Sequence, residues 1–339
     1  MPGLKVDVLL GTEPSGARER ALELARTGVD GLFSLENAHD VFFPLVMAAG
    51  AADVDLMTNV AIAFPRSPYH LAQQAYDLQL LSAGRFRLGL GSQIRVHIER
   101  RYGSTWNRPV ARMRETVLAV KAILAAWQDG TRLDFRGEFT THTLMPPAFD
   151  PGPNRFGSPP VLVGALGPRM TEMAAEVADG ILVMPFNSAR HLAERTRPAI
   201  ERGLAAGDRR PDELEIVGEV IVATGRGAAE LEAARRGVRW LLAFYGSTPA
   251  YRPVLEVEGW GELQPRLNAL SKQGDWAAMA ELIDEPMLGA LAVVGTPEEC
   301  AAQISARFGG LASRVCCYFP GYRVTDRRIA ELTAALRSP

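Results

Sequence analysis

Cysteine is scarce in this chain: Cys300, Cys316 and Cys317 are the only three among 339 residues. Cys316 and Cys317 are adjacent in a predicted strand, so their side chains point to opposite faces, and the set excludes a disulfide framework. They read as core residues. Histidine is thin as well. His39, His70, His97, His142 and His191 lack the close pairing that zinc ligation on a helix or hairpin uses, which predicts no metal site. Neither sign of charge dominates: 37 basic against 39 acidic residues leave a net charge of -2, with no Lys/Arg cluster of the kind that grips nucleic acid. Long apolar runs are missing too. No stretch reaches the length of a membrane span, and Met1 to Leu10 lacks the basic start and cleavage site of a signal peptide, so the expectation is a cytoplasmic protein with no membrane partner.

What the chain has throughout is alternation. With 47% hydrophobic residues it can bury a large core, and short apolar runs alternate with amphipathic helical patterns. Asp55 to Gln93 shows the unit most clearly: Asp55 to Ala63 is an apolar run, Leu71, Ala75, Leu78 and Leu81 recur at helical spacing, and Phe86 to Leu90 form a second run. Two parallel strands joined by one crossover helix follow. Strands are predicted at Lys5 to Leu10, Gly31 to Leu35, Asp55 to Ala63, Arg85 to Gly91, Pro160 to Gly164, Gly180 to Met184, Leu214 to Ala223 and Ser313 to Phe319. Eight is the number a closed (β/α)8 barrel needs, so the predicted fold is α/β, a TIM barrel forming one domain over residues 1–339. A doubly wound open sheet would want a glycine fingerprint after its first strand, and Gly11-Thr12-Glu13-Pro14-Ser15-Gly16 does not match it. Helices are predicted between the strands, among them Ala189 to Ala206, Ala228 to Phe244 and Pro297 to Phe308. Two segments exceed the repeat. A hairpin and lid is expected at about 132–154, and a turn-rich stretch carrying Tyr251, Trp260 and Trp276 at about 247–292; both are candidates for substrate selection or subunit contact.

Four motifs recur in order along the chain. They are Leu80-Leu81-Ser82-Ala83-Gly84-Arg85-Phe86 running into Leu88-Gly89-Leu90-Gly91; Val161-Leu162-Val163-Gly164-Ala165-Leu166-Gly167-Pro168; Ala178-Asp179-Gly180; and Val294-Gly295-Thr296-Pro297-Glu298-Glu299. On these the sequence resembles the bacterial luciferase-like superfamily, especially its branch of oxidoreductases that use the deazaflavin coenzyme F420. The resemblance implies hydride transfer between F420 and an organic substrate. It also implies a homodimer through helices near the second and third units. A flavin mononucleotide (FMN) dependent monooxygenase is the alternative enzyme, because the same architecture binds both coenzymes, and a binding protein that has lost turnover is the non-catalytic alternative.

The loop after the second strand, Glu36-Asn37-Ala38-His39-Asp40, sits where catalytic groups collect in barrels, and His39 is the first choice for a catalytic acid or base. Many relatives carry an Asp-His pair here; this chain has Ala38 in place of the Asp, which leaves Glu36 or Asp40 to orient the imidazole. Resemblance implies a cis peptide between Asn59 and Val60, bulging toward the coenzyme ring, with Ala61 beside it. After the fourth strand, Gly91 and Ser92 would let a flat ring approach, while Gln93, Arg95 and His97 could bond its polar edge or a substrate. Where relatives that oxidise sugar phosphates carry a catalytic Glu and a ring-binding Asn, this chain has Ile94 and His97, which argues against that substrate. Gly164, Ala165, Gly167, Arg169 and Met170 lead into a helix N-terminus, an anion site suited to the coenzyme phosphate. Glu36, Arg95, Phe139 and Tyr245 are the candidate substrate contacts.

Overall fold

The computed structural model describes residues 3–338. Eight parallel strands form in the predicted places: β1 (Lys5–Leu9), β2 (Gly31–Ser34), β3 (Asp55–Thr58), β4 (Phe86–Gly91), β5 (Val161–Ala165), β6 (Gly180–Val183), β7 (Glu215–Thr224) and β8 (Arg314–Tyr318). Each pairs with the next, and β8 pairs with β1, so the sheet closes into a barrel with no free edge. Helices α1 (Ala17–Ala25), α2 (Phe42–Ala49), α3 (Pro68–Leu81), α4 (Pro109–Asp129), α5 (Pro168–Val177), α6 (Arg197–Ala206), α7 (Pro297–Phe308) and α8 (Asp326–Arg337) form the outer layer. No helix among the described residues is long and apolar enough to cross a membrane.

Side chains alternate in and out along a strand, so every second residue lines the barrel interior, and these residues stack in layers. The floor is ionic: Arg314 is fully buried and pairs with Asp7 and Asp55, with Glu215 at 3.5 Å, while Arg87 reaches Glu215 at 2.8 Å and Asp55 at 3.4 Å. Above it lies an apolar layer of Phe33, Met57, Leu162, Leu182, Val217 and Cys316. Cys316 belongs to this inner layer and Cys317 to the outer core, the opposite facing their adjacency predicts. All three cysteines are buried and free.

The third strand departs from its predicted form. Pairing resumes at Ala61–Ile62 after a break at Asn59–Val60, where the peptide bond is cis. Met57 faces Arg87 and Ala61 faces Leu90, so four steps on one strand span three on the other, a one-residue bulge. Thr58 pins its base: Oγ1 donates to Gly89 O at 2.8 Å and accepts from Gly89 N at 2.9 Å. The bulge fills the space that glycines leave open. A Cβ on Gly89 would collide with Thr58 O, one on Gly91 with the Val60 side chain, and one on Gly164 would press against Val60 at 3.2 Å.

Two insertions need correction. The second begins at Ala228, not near 247, and is helical: Ala228–Gly246, Arg252–Val257, Leu263–Gln273, Trp276–Glu281 and Glu285–Leu291 precede a short strand, Val293–Gly295, that pairs with the end of β7. The barrel's seventh outer helix is therefore α7. The turn-like look of this stretch came from prolines, yet Pro253 and Pro286 stand in first helical turns, where a missing N–H costs nothing. These helices have their own apolar core, which includes Leu242, Leu255, Leu267 and Leu288 and packs on Phe186, Ile221 and Tyr318 at the barrel's C-terminal mouth. The first insertion forms the predicted hairpin, Phe135–Arg136 with Thr141–His142, but no lid. It lies along outer helices: Glu138, Phe139 and Thr140 donate backbone N–H to Glu115 of α4, and Tyr69 and Tyr76 of α3 donate to Phe149 O and Gly152 O. The predicted Ala189 to Ala206 helix is interrupted by a π turn at Leu192–Thr196, just before Pro198, which has no N–H for the ladder.

Candidate active site

At the mouth, the loop after β2 is tied to the loop after β4. Glu36 accepts from Ile62 N at 2.9 Å, from Arg66 Nη1 at 2.6 Å and from the Tyr102 hydroxyl at 2.9 Å; Asp40 accepts from Arg66 Nη2 at 3.0 Å; Arg101 donates to Asn37 O. Burial and the Glu36 carboxylate push the Tyr102 phenol up to about 12, so it stays a neutral donor. Both carboxylates serve Arg66. Neither orients His39, whose imidazole is exposed and has no hydrogen-bond partner among the described residues. That overturns the expectation that Glu36 or Asp40 would take over from the missing Asp, and it commits Glu36 to structure.

The β4 loop divides its candidates. Gln93 adopts a left-handed backbone, and its side-chain oxygen accepts from Ile94 N at 3.0 Å. A short helix, Arg95–Arg100, follows: Arg95 turns to solvent and pairs with Glu99 at 2.9 Å, while His97 is half-buried, its pKa lowered by burial and then by Arg101. Past β5, Gly167 caps α5 without a side-chain bond, and Gly167, Pro168 and Arg169 are exposed. Pro168 has no N–H, so the Arg169 amide is an unoccupied donor at a helix N-terminus. Phe139 is not brought to the mouth; it sits on α4 with the Arg108 guanidinium over its ring at 5.6 Å.

Tyr245 is brought there. Its ring lies 5.9 Å from Phe186 and 6.0 Å from Tyr251, all part of the second core. With them stands a residue that sequence reading missed, Glu219. It follows Glu215 and Val217 on the inward face of β7, one step above the apolar layer. Some solvent access remains, but the protein packed round its carboxyl pushes the pKa up to about 8, with Asn59 opposing weakly. Its charge in turn acts on Tyr245, Tyr251 and Cys316, which places it among them. Asn59 Nδ2 is buried and makes no hydrogen bond of ordinary geometry among the described residues, yet it lies close enough to the Glu219 carboxyl to favour its charged form. The cleft of about 240 Å³ between α3, α4 and the first insertion, lined by Tyr76, Trp127 and Phe149, lies away from all of these groups.

The chamber bounded by these groups at the barrel mouth has the apolar layer beneath it, Glu219 and Asn59 from the strands, Tyr245 from the helices after β7, and the α5 N-terminus past β5. The model of the luciferase-like monooxygenase family matches residues 3–314. The chain belongs to that family. Among its luciferase-like relatives is an uncharacterised protein of Mycobacterium tuberculosis, 49% identical with 93% of each chain covered. Another is the 5,10-methylenetetrahydromethanopterin reductase of Archaeoglobus fulgidus, 29% identical with 70% of each chain covered. In fold the chain matches the coenzyme F420-dependent tetrahydromethanopterin reductase of Methanopyrus kandleri with a TM-score of 0.80 at 18% identity, covering 98% of this chain and 97% of that one. Several residues in and beside the luciferase-like motifs hold local structure. Gln79 and Ser82 bond the backbone of the Ser82–Phe86 turn, Asp179 accepts from Val161 N, and Thr296 with Glu299 forms a capping box on α7.

Proposed function

We propose that this luciferase-like family member is an oxidoreductase that uses F420 to pass a hydride to or from an organic substrate. The observation that carries the reading is Asn59 Nδ2 at the strand bulge, a buried donor beside Glu219 that makes no hydrogen bond of ordinary geometry among the described residues and that a flat ring with a polar edge would satisfy. In this reading Asn59, Val60 and Ala61 back the ring, and Gly91, Ser92, Gln93 and His97 border it. The α5 N-terminus, with Gly164, Ala165, Gly167, Arg169 and Met170, receives the phosphate on the Arg169 amide and the positive dipole end. The coenzyme supplies two-electron chemistry, while the protein supplies orientation and proton control. His39, exposed on the mouth loop, is the group that exchanges protons with solvent. A relative in Mycobacterium tuberculosis described as a putative coenzyme F420-dependent oxidoreductase, 27% identical with 89% of this chain covered, supports the choice of coenzyme. Fluorescence titration of the purified protein is expected to give tighter binding of F420 than of FMN. The reverse order moves the assignment to oxygen chemistry, and binding of neither removes the coenzyme reading.

The same reading includes assembly as a homodimer. Phe43, Val46 and Met47 on α2 and Leu80 and Leu81 at the end of α3 are exposed, Phe43 by 63%, and α2 packs against α3. Such a patch on neighbouring helices invites a second copy. Sedimentation is expected to show a dimer for the wild type and a monomer for the Phe43→Asp/Leu81→Asp variant; a monomeric wild type sinks the idea.

A further inference from the structure

Among the described residues Glu219 has no counter-ion. The interior cations Arg314 and Arg87 lie on the floor, bound to Asp7, Asp55 and Glu215, with the layer of Met57, Val217 and Cys316 between them and Glu219. Arg66, at the mouth, is bound to Glu36 and Asp40. The titratable groups that do face Glu219 are Tyr245 and Tyr251 from the helical excursion and Cys316 from β8, and burial holds all three in their neutral forms. Asn59, across the chamber on β3, offers an amide without charge. A carboxyl so placed keeps its proton at neutral pH, where an ordinary glutamate has lost it. Its side chain is nonetheless only half-buried, not sealed in the core.

We propose that Glu219 is the internal acid of the reaction, giving its proton to the heteroatom of a carbonyl or imine substrate as the adjoining carbon takes up hydride. The assignment rests on the F420 reading, which supplies reduced deazaflavin as the two-electron donor. The electron pair of the C=O or C=N double bond moves to oxygen or nitrogen as the new C–H bond forms. That atom takes the proton from Glu219, and the resulting carboxylate recovers a proton from solvent through the mouth. In the reverse direction the carboxylate removes the proton from an alcohol or amine. Tyr245 and Tyr251, whose phenols are held neutral, position the substrate by hydrogen bonding and do not compete as acids.

Infrared spectra of the coenzyme-free protein test the assignment first. The wild type is expected to show the carbonyl stretch of a protonated carboxyl at neutral pH, fading with a midpoint near 8 and missing from Glu219→Gln. F420 affinity, read by fluorescence, should be within a few-fold in the two proteins. Turnover with reduced F420 should fall about 10²- to 10⁴-fold in the variant, measured with whichever acceptor a screen of ketones, aldehydes and imines shows the wild type to reduce. No protonated-carboxyl band in the wild type at neutral pH overturns the proposal without depending on the variant's folding. Equal turnover by the two proteins overturns it as well. Failure of both proteins to bind F420, or of the wild type to reduce any acceptor, overturns the coenzyme reading and the role built on it, whatever the spectra show.

Discussion

Replacing Arg314 with methionine is expected to cost about 3–5 kcal/mol of folding stability near neutral pH and much less in mild acid. Arg314 is the only cation in direct contact with Asp7 among the described ion pairs, and both side chains are buried. Burial already outweighs that contact, pushing the Asp7 carboxyl up to about 6. A raised carboxyl pKa means that the folded state favours the neutral form. Its stability contribution is whole below the ordinary aspartate pKa and is lost as pH rises through about 6. Removing the guanidinium raises the pKa further, so the same loss extends to higher pH and deepens. Urea melts at mildly acidic and mildly alkaline pH check this: the gap between wild type and Arg314→Met should widen with pH. A loss that is equal at both, or absent, would show that the floor is not held by this charge. The exposed Arg210–Asp212 pair at 3.1 Å is a fitting contrast, because solvent screens such a pair and its removal should leave stability nearly unchanged.

Glu219 should leave its own mark on stability. Its folded pKa of about 8 lies above the ordinary 4.5, so the folded chain holds a proton that the unfolded chain releases across that interval. Wild-type stability therefore falls as pH rises through the interval and levels off above about 8. Glu219→Gln lacks this slope. Its free energy of unfolding should match the wild type at acid pH and exceed it in alkali, by on the order of 1–3 kcal/mol. Parallel pH profiles for the two proteins would show that Glu219 is solvated in the folded state.

The barrel was legible in the sequence because its strands are short, apolar and regularly spaced with helices, and every one of the eight lies where the pattern put it. The motifs that carried the resemblance were legible for a different reason. Ser82, Asp179 and Thr296, with Gln79 just before the first motif, make turns and caps whose geometry tolerates few residue types. Glu219 was hidden because a glutamate within a strand reads as solvent-facing. The signal that could have found it was parity: Glu215, Val217 and Glu219 share one face, and all of that face points into the barrel. His39 was placed correctly on its loop, yet its exposure depends on Arg66 claiming both neighbouring carboxylates, a contact between distant segments that spacing cannot show. The cis bond at Asn59–Val60 came from resemblance, since the residues alone read as continuous strand.

The helical excursion leaves and rejoins the barrel through two adjacent strand ends, with Val222 opposite Val293 and Thr224 opposite Gly295. Whatever lies between those two points closes a loop that begins and ends in the same ladder, so its length bears on the barrel mainly through a loop-closure entropy that grows only with the logarithm of length. Its apolar core is also largely its own. The segment is thus a replaceable cartridge. Substitutions within it would reshape the surroundings of Tyr245 and Tyr251 while the floor, the bulge and Glu219 keep their places in the barrel.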